Sequence, residues 1–199
     1  MANNYDRYST WDHRKMNRKG LSYYIYRRGP DTVIFPLINT FKHKKVLEVG
    51  LGAGYYTGYF QRNGCAVTGV DINPHLGSHL GIEIVKACAD DFSAFFTGKT
   101  FDVVASFWMT EYLSEQSLKG FIAESLKVLD PGGVFITTIP QNRGLGKLHV
   151  FLSALKRIEK FHYAPADFLP FYGSARVTVQ SLCGMFGLPY SHLVCATKP

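Results

Sequence analysis

The stretch VLEVGLGAGYYT at positions 46–57 sets three glycines within five residues, directly after a short apolar run. A strand that runs into a glycine-rich turn and then a helix brings backbone N–H groups up to a nucleotide-like ligand. A dinucleotide turn spaces its glycines G-x-G-x-x-G. Here Gly50, Gly52 and Gly54 read G-x-G-x-G, with Glu48 inside the preceding strand. Taken alone, such a loop can also be only a tight turn.

The chain beyond the loop decides the fold class. Short runs rich in Val and Ile recur at 46–49, 66–70, 83–87, 102–106 and 133–139. They are apolar on both faces, as buried parallel strands are. Between the last two, Ser114 caps a helix whose stripe is Leu118, Phe121, Ile122, Leu126 and Leu129, and Pro131-Gly132-Gly133 ends it. Strands alternating with helices predict an α/β domain with a parallel sheet. In the tail, Thr178 is expected to cap a short helix over 179–186, before a closing strand over 190–197.

The glycine pattern with its internal Glu48 resembles motif I of the class I S-adenosylmethionine-dependent methyltransferases. Asp71 ends the second strand seventeen residues past Gly54, and Asp90 lies eleven residues before Phe101, the family's usual interval. The resemblance covers residues 46–140 well and the 178–197 tail loosely, and is of the small-molecule, ubiquinone and menaquinone methyltransferase type. It implies a Rossmann-like, mostly parallel seven-stranded sheet with an antiparallel last strand and helices on both faces. The cofactor implied is S-adenosyl-L-methionine, bound by Glu48, Gly50, Gly52, Gly54, Asp71, Ile72, Asp90, Asp91, Phe92, Ser106 and Phe107. In this reading Asp71 takes the ribose hydroxyls, Ile72 packs on the adenine, and the glycines let the backbone approach where a Cβ would collide. A NAD enzyme would also place an acid near Asp71, and Asp90 and Asp91 could serve as helix caps instead.

Related small-molecule enzymes carry a Glu-His pair after the fourth strand, whereas this chain has Glu111-Tyr112. Glu111 as proton acceptor and Tyr112 as orienting group are the catalytic candidates, the alternative being that both only cap or pack the next helix. Phe107 and Trp108 read as pocket wall. His149 and His162 read as surface residues that a lid could bring to the substrate.

Charge separates the chain into two parts. Residues 1–45 hold ten Lys or Arg against three Asp, while the rest carries twelve of each sign. This basic, tyrosine-rich segment reads as a cap, with Tyr5, Tyr8 and Trp11 closing on the site, or as a nucleic-acid arm. Residues 46–199 form the methyltransferase domain, with a lid-like insertion at 144–172. Within it Leu145, Leu148, Leu152, Leu155 and Ile158 recur at helical spacing, with Lys147, Lys156, Arg157 and Lys160 mainly off that stripe. Such a helix packs on its own core, lies on an anionic membrane surface, or encloses an apolar or aromatic substrate.

The favoured acceptor is therefore a small aromatic or lipid-like molecule. No RNA-binding module or N-P-P-Y-type motif supports RNA or protein as substrate, and the intact glycines and acids argue against lost cofactor binding. No apolar run reaches the roughly 20 residues of a membrane span. The first residues lack a signal peptide's apolar stretch, which predicts a cytoplasmic protein. The cysteines, with no C-x-x-C pair, read as buried reduced thiols, and no metal site is expected.

Overall fold

The computed structural model describes residues 20–155 and 157–199. Seven strands form one sheet: β1 (Lys45–Val49), β2 (Ala66–Asp71), β3 (Ile84–Lys86), β4 (Phe101–Ser106), β5 (Leu129–Pro140), β6 (Arg176–Cys183) and β7 (Pro189–Thr197). Their order is β3-β2-β1-β4-β5-β7-β6. The first five pair in parallel, while β7 runs antiparallel to both β5 and β6. The strand order reverses between β1 and β4, where open α/β sheets bind ligands at the carboxyl ends of their strands.

Successive residues of the strands supply two cores. Leu47, Val49, Val104 and Phe135 face α3 (Glu115–Val128) and α5 (Pro165–Phe168), meeting Leu118, Phe121, Ile122 and Phe168. Val46, Val103, Ala105 and Ile136 face α1 (Arg28–Ile38), α2 (Thr57–Arg62) and α4 (Gly144–Leu155), meeting Ile34, Ile38, Phe60 and Leu145. Two-sided burial explains why these strands lack alternation. The five expected central strands are present, and Ser114 Oγ accepts the Ser117 N–H at the start of α3.

Three expectations are corrected. The helix α3 stops at Val128, before Pro131-Gly132-Gly133, which lies inside β5 at a register shift between β4 and β5. The helix expected over 179–186 is instead the edge strand β6. It pairs with β7 from Arg176↔Thr197 to Cys183↔Pro189, and that ladder overrides the local helical reading. In the insertion, α4 turns Leu145, Gly146 and Ser153 inward, leaving Leu148, Phe151, Leu152 and Leu155 exposed. The Leu-rich stripe of the sequence is thus largely an outer face. Of the cysteines, Cys65 is buried and Cys88 exposed; all four are free.

The helical segment before β1, a π-helical turn Tyr23–Arg27 continuing into α1, packs against the far end of β6. A Cβ on Gly29 would lie 2.2 Å from the Cys183 carbonyl oxygen, so only glycine permits that backbone approach. Tyr5, Tyr8 and Trp11 lie outside the described residues.

Candidate active site

A cavity of about 430 Å³ opens at the carboxyl ends of β1, β2 and β4 and runs from the glycine turn to α4. At one end the backbone builds it. Gly50, Gly52 and Gly54 have φ of +71°, +53° and +71°, a region costly for other residues. A Cβ on Gly50 would meet the Met109 side chain at 2.4 Å, and one on Gly54 the Leu80 side chain at 2.3 Å. At Gly50 the clash reaches Met109 Cβ, whereas at Gly54 it falls on the end of the Leu80 side chain; at both, the positive φ penalises a side chain whatever the ligand demands. Asp71 locks the turn: Gly52 N–H donates to its Oδ2 at 2.9 Å and Asn73 N–H to its Oδ1 at 2.8 Å. Each oxygen retains capacity for a further donor from the cavity.

Glu48 sits behind the turn, buried, its Oε2 accepting from Thr57 Oγ1 at 2.6 Å. Burial pushes its carboxyl up to about 8; the Thr57 bond opposes the rise and the Asp71 charge adds to it. The side chain therefore stays protonated near neutrality and acts as a hydrogen-bond donor as well as acceptor.

The structure brings Glu48, Gly50, Gly52, Asp71, Ile72, Asp90 and Phe107 to this cavity, with Glu111 and Tyr112. Gly54 supports the turn from behind. Three expected residues lie elsewhere. Asp91 is exposed off the cavity, Phe92 is buried in the core with Phe96, and Ser106 is buried within the sheet.

The opposite end is built by side chains from distant segments. Tyr23, Tyr26 and Arg27 come from before α1, Trp108, Glu111 and Tyr112 from the turn after β4, His149 from α4, Lys160 from beyond it, and Tyr190 from β7. Trp108 stacks on Tyr190 with centroids 5.3 Å apart, and the Arg27 guanidinium lies 5.5 Å from the Trp108 ring centre. Trp108 adopts φ +63°, a strained value held by its N–H bond to Thr138 Oγ1 at 2.8 Å.

From the Trp108 indole a buried relay runs back to α1. Trp108 Nε1 donates to the Tyr56 hydroxyl at 2.7 Å, which donates to Asp31 Oδ1 at 2.7 Å. The Tyr55 hydroxyl donates to Asp31 Oδ2 at 3.0 Å. Burial raises the Asp31 carboxyl above its ordinary range against these bonds. Tyr55 and Tyr56 directly follow Gly54, so Asp31 ties the amino-terminal segment to the glycine turn.

Glu111 is also buried, but between a lysine and a histidine. Lys160 Nζ donates to its Oε1 at 2.7 Å, and His149 Nε2 lies 3.3 Å from its Oε2. Lys160 Nζ and His149 Nε2 are 2.7 Å apart, and the ammonium lies 4.9 Å from the Tyr112 ring centre. Burial alone would raise the Glu111 carboxyl; the bond from His149 and the Lys160 charge outweigh it and hold it at about 2. A carboxylate held that low is a poor proton acceptor near neutrality. Sequence reasoning therefore identified Glu111 but not its role. It named His149 as a surface residue that a lid could bring to the substrate, and Lys160 only as a basic residue off the helical stripe.

The seven-stranded sheet, with its glycine turn locked by Asp71 at the reversal point, has the Rossmann-like fold of S-adenosylmethionine-dependent methyltransferases. A family model described as a methyltransferase domain matches residues 47–137. A ubiquinone biosynthesis O-methyltransferase from Saccharophagus degradans is 26% identical over 163 residues, 71% of this chain and 66% of that protein. A demethylmenaquinone methyltransferase from Tropheryma whipplei is 30% identical over 100 residues, 45% of this chain and 39% of its own. The chain thus spans two thirds or less of the length of these curated relatives. Among solved structures, an N-methyltransferase from Bradyrhizobium japonicum with S-adenosyl-l-homocysteine superposes with TM-score 0.71 at 17% identity, covering 98% of this chain and 96% of that one. A magnesium protoporphyrin IX methyltransferase from Synechocystis gives 0.70 at 13% identity, covering 98% and 94%.

Proposed function

We propose that the protein transfers the methyl group of S-adenosylmethionine to a small aromatic or lipid-like acceptor. The observation that carries this reading is one cavity with a backbone-built acidic end and an aromatic end. Its size lies within the roughly 300–1,000 Å³ usual for small-molecule sites. The lining residues fit the cofactor. Asp71 and Asp90 face the cavity and suit a ligand with cationic groups and ribose hydroxyls. The Asn73 amide nitrogen, also at the cavity, is buried with no partner among the described residues, a donor awaiting an acceptor. Gly50, Gly52, Asp71, Ile72, Asp90 and Phe107 would hold this cofactor, with Glu48 fixing the turn behind it.

When bound, the sulfonium supplies an electrophilic methyl group, so the protein's task is alignment and exclusion of water. The packed aromatic rings of Tyr26, Trp108 and Tyr190 would form a wall for the acceptor, and Glu111 and Tyr112 border it. Calorimetry with S-adenosyl-l-homocysteine and with NAD tests the cofactor; preference for NAD would sink the assignment. A labelled-methyl screen across lipids, small molecules, RNA and protein tests the acceptor, and label confined to RNA or protein would replace it.

The reading includes peripheral contact with a membrane. In support, the exposed Leu148, Phe151, Leu152 and Leu155 lie on α4 with Lys147, and Arg143 and Arg157 flank the helix. No helix among the described residues is long and apolar enough to cross a bilayer. Flotation with phosphatidylglycerol vesicles, lost in Phe151→Glu, is the expected result; equal flotation of both proteins counts against it.

A further inference from the structure

We propose that Lys160 holds the ionised oxygen of the methyl acceptor, with Glu111 and His149 as its positioning residues, so that this site selects acceptors with an acidic oxygen. The inference rests on the methyltransferase reading and names the chemistry of its substrate.

An ammonium has three N–H donors and no acceptor. Two of those of Lys160 are committed, to Glu111 Oε1 and His149 Nε2, both at 2.7 Å. His149 Nε2 also lies 3.3 Å from Glu111 Oε2, so it serves one neighbour at a time: without a proton it accepts from Lys160, and with one it donates to Glu111. The Lys160 side chain is itself buried, 8% exposed, and lines the cavity. With Glu111 and His149 fixing two directions, the third N–H is available to the cavity. A buried, donor-only cation stabilises an oxyanion and lowers the proton affinity of a phenol or enol beside it. It gives no such support to an amine acceptor, whose nucleophilic lone pair a Lys160 N–H would occupy.

The other polar and charged groups facing this cluster are Tyr26 and Arg27 from the amino-terminal segment, Tyr112 from the turn after β4, its ring centre 4.9 Å from Lys160 Nζ, and Tyr190 from β7. Tyr26 and Tyr190 pack on the His149 ring at 4.9 and 5.7 Å between centroids. Arg27, at the Trp108 ring, adds a second positive charge at this end and reinforces the preference for an anion.

On methyl transfer, the acceptor oxygen, its proton already released to water, donates a lone pair to form the new O–CH₃ bond. The C–S bond pair returns to sulfur, and Lys160 loses its anionic partner, which favours release of the neutral ether.

The test uses the full chain saturated with S-adenosyl-l-homocysteine, with 4-nitrophenol as probe at mildly acid pH, where the free phenol is protonated and colourless. Binding to the unmodified protein is expected to generate the yellow phenolate, lowering the probe's apparent pKa by about one unit, a tenfold change. Lys160→Arg should keep part of the effect and His149→Gln should reduce it. Because Lys160→Met strands Glu111, the paired variant Lys160→Met with Glu111→Gln keeps the charge balance and serves as the folded control; it should leave the probe colourless. Full phenolate colour in that variant, or none with the unmodified protein, overturns the proposal. Calorimetry in the same samples separates the failures. Homocysteine-product binding without ionisation sinks this inference alone, whereas no such binding sinks the methyltransferase reading beneath it.

Discussion

At the glycine end of the cavity the shape is set by backbone torsions and amide hydrogens, while at the aromatic end it is set by side chains that converge from five separate segments. Gly50, Gly52, Asp71 and Asn73 build their end within about two dozen residues of chain. Tyr26, Trp108, His149, Lys160 and Tyr190 span most of the molecule. The two ends should therefore fail differently. A change at the first alters one ligand contact surface with little loss of fold, whereas a change at the second breaks buried polar connections that also hold the protein together.

The largest expected effect is at the aromatic end. Lys160→Met removes the cation beside buried Glu111 and should cost about 3–5 kcal/mol of stability by urea unfolding, the usual penalty for stranding a buried charge. If the loss is under about 1 kcal/mol, the division between the two ends does not hold.

The same pair gives an acid-side signature. The Glu111 carboxyl, at about 2 in the fold, lies below its unfolded value near 4.5, so the unfolded state binds more protons between these limits. Stability contributed by its ionised form is present above that window and is lost as pH falls through it, by on the order of 3 kcal/mol. Glu111→Gln should flatten the acid limb of a plot of unfolding free energy against pH. A limb of unchanged slope would show that other carboxyls carry it.

At the glycine end, Gly52→Val places a β-branched side chain at φ +53°. The strain is about 1–3 kcal/mol, and S-adenosyl-l-homocysteine affinity should fall at least about tenfold while the circular dichroism of the fold is kept. Retained affinity in the folded variant would reduce the loop to a plain turn.

The smallest effect sharpens the boundary between the ends. Asp31→Asn keeps one carbonyl oxygen for the tyrosines and should cost about 1 kcal/mol, with faster hydrogen exchange in the segment 20–38. Exchange unchanged there would mean that the amino-terminal segment is held by its apolar contacts alone.

The difference between the ends also decides what could be read before folding. The interval from Gly54 to Asp71, and that from Asp90 to Phe101, are local facts of the sequence, and the sheet and its glycine turn follow from them. Lys160 and His149 carry no such spacing; only the path of α4 across the sheet brings them to Glu111. Phe92 and Ser106 were misplaced for a related reason. Family position names a residue near the ligand, but the facing of a given side chain depends on strand phase, and both point into packed protein here. β6 was misread as a helix because Val177 and Val179 commit to a strand only when β7 is present to pair with them.

That dependence has a kinetic side. β7 is the seventh strand in chain order yet lies between β5 and β6, so β6 has no neighbour in the sheet until β7 is seated. Until then, the outer edge of β5 presents unpaired backbone groups to other chains. The slow step of assembly should be this late, non-local insertion, and aggregation during refolding should compete with it. Pulse-labelled amides of β5, β6 and β7 should gain protection in one phase, later than those of β1 and β4; early protection of β6 would refute that order.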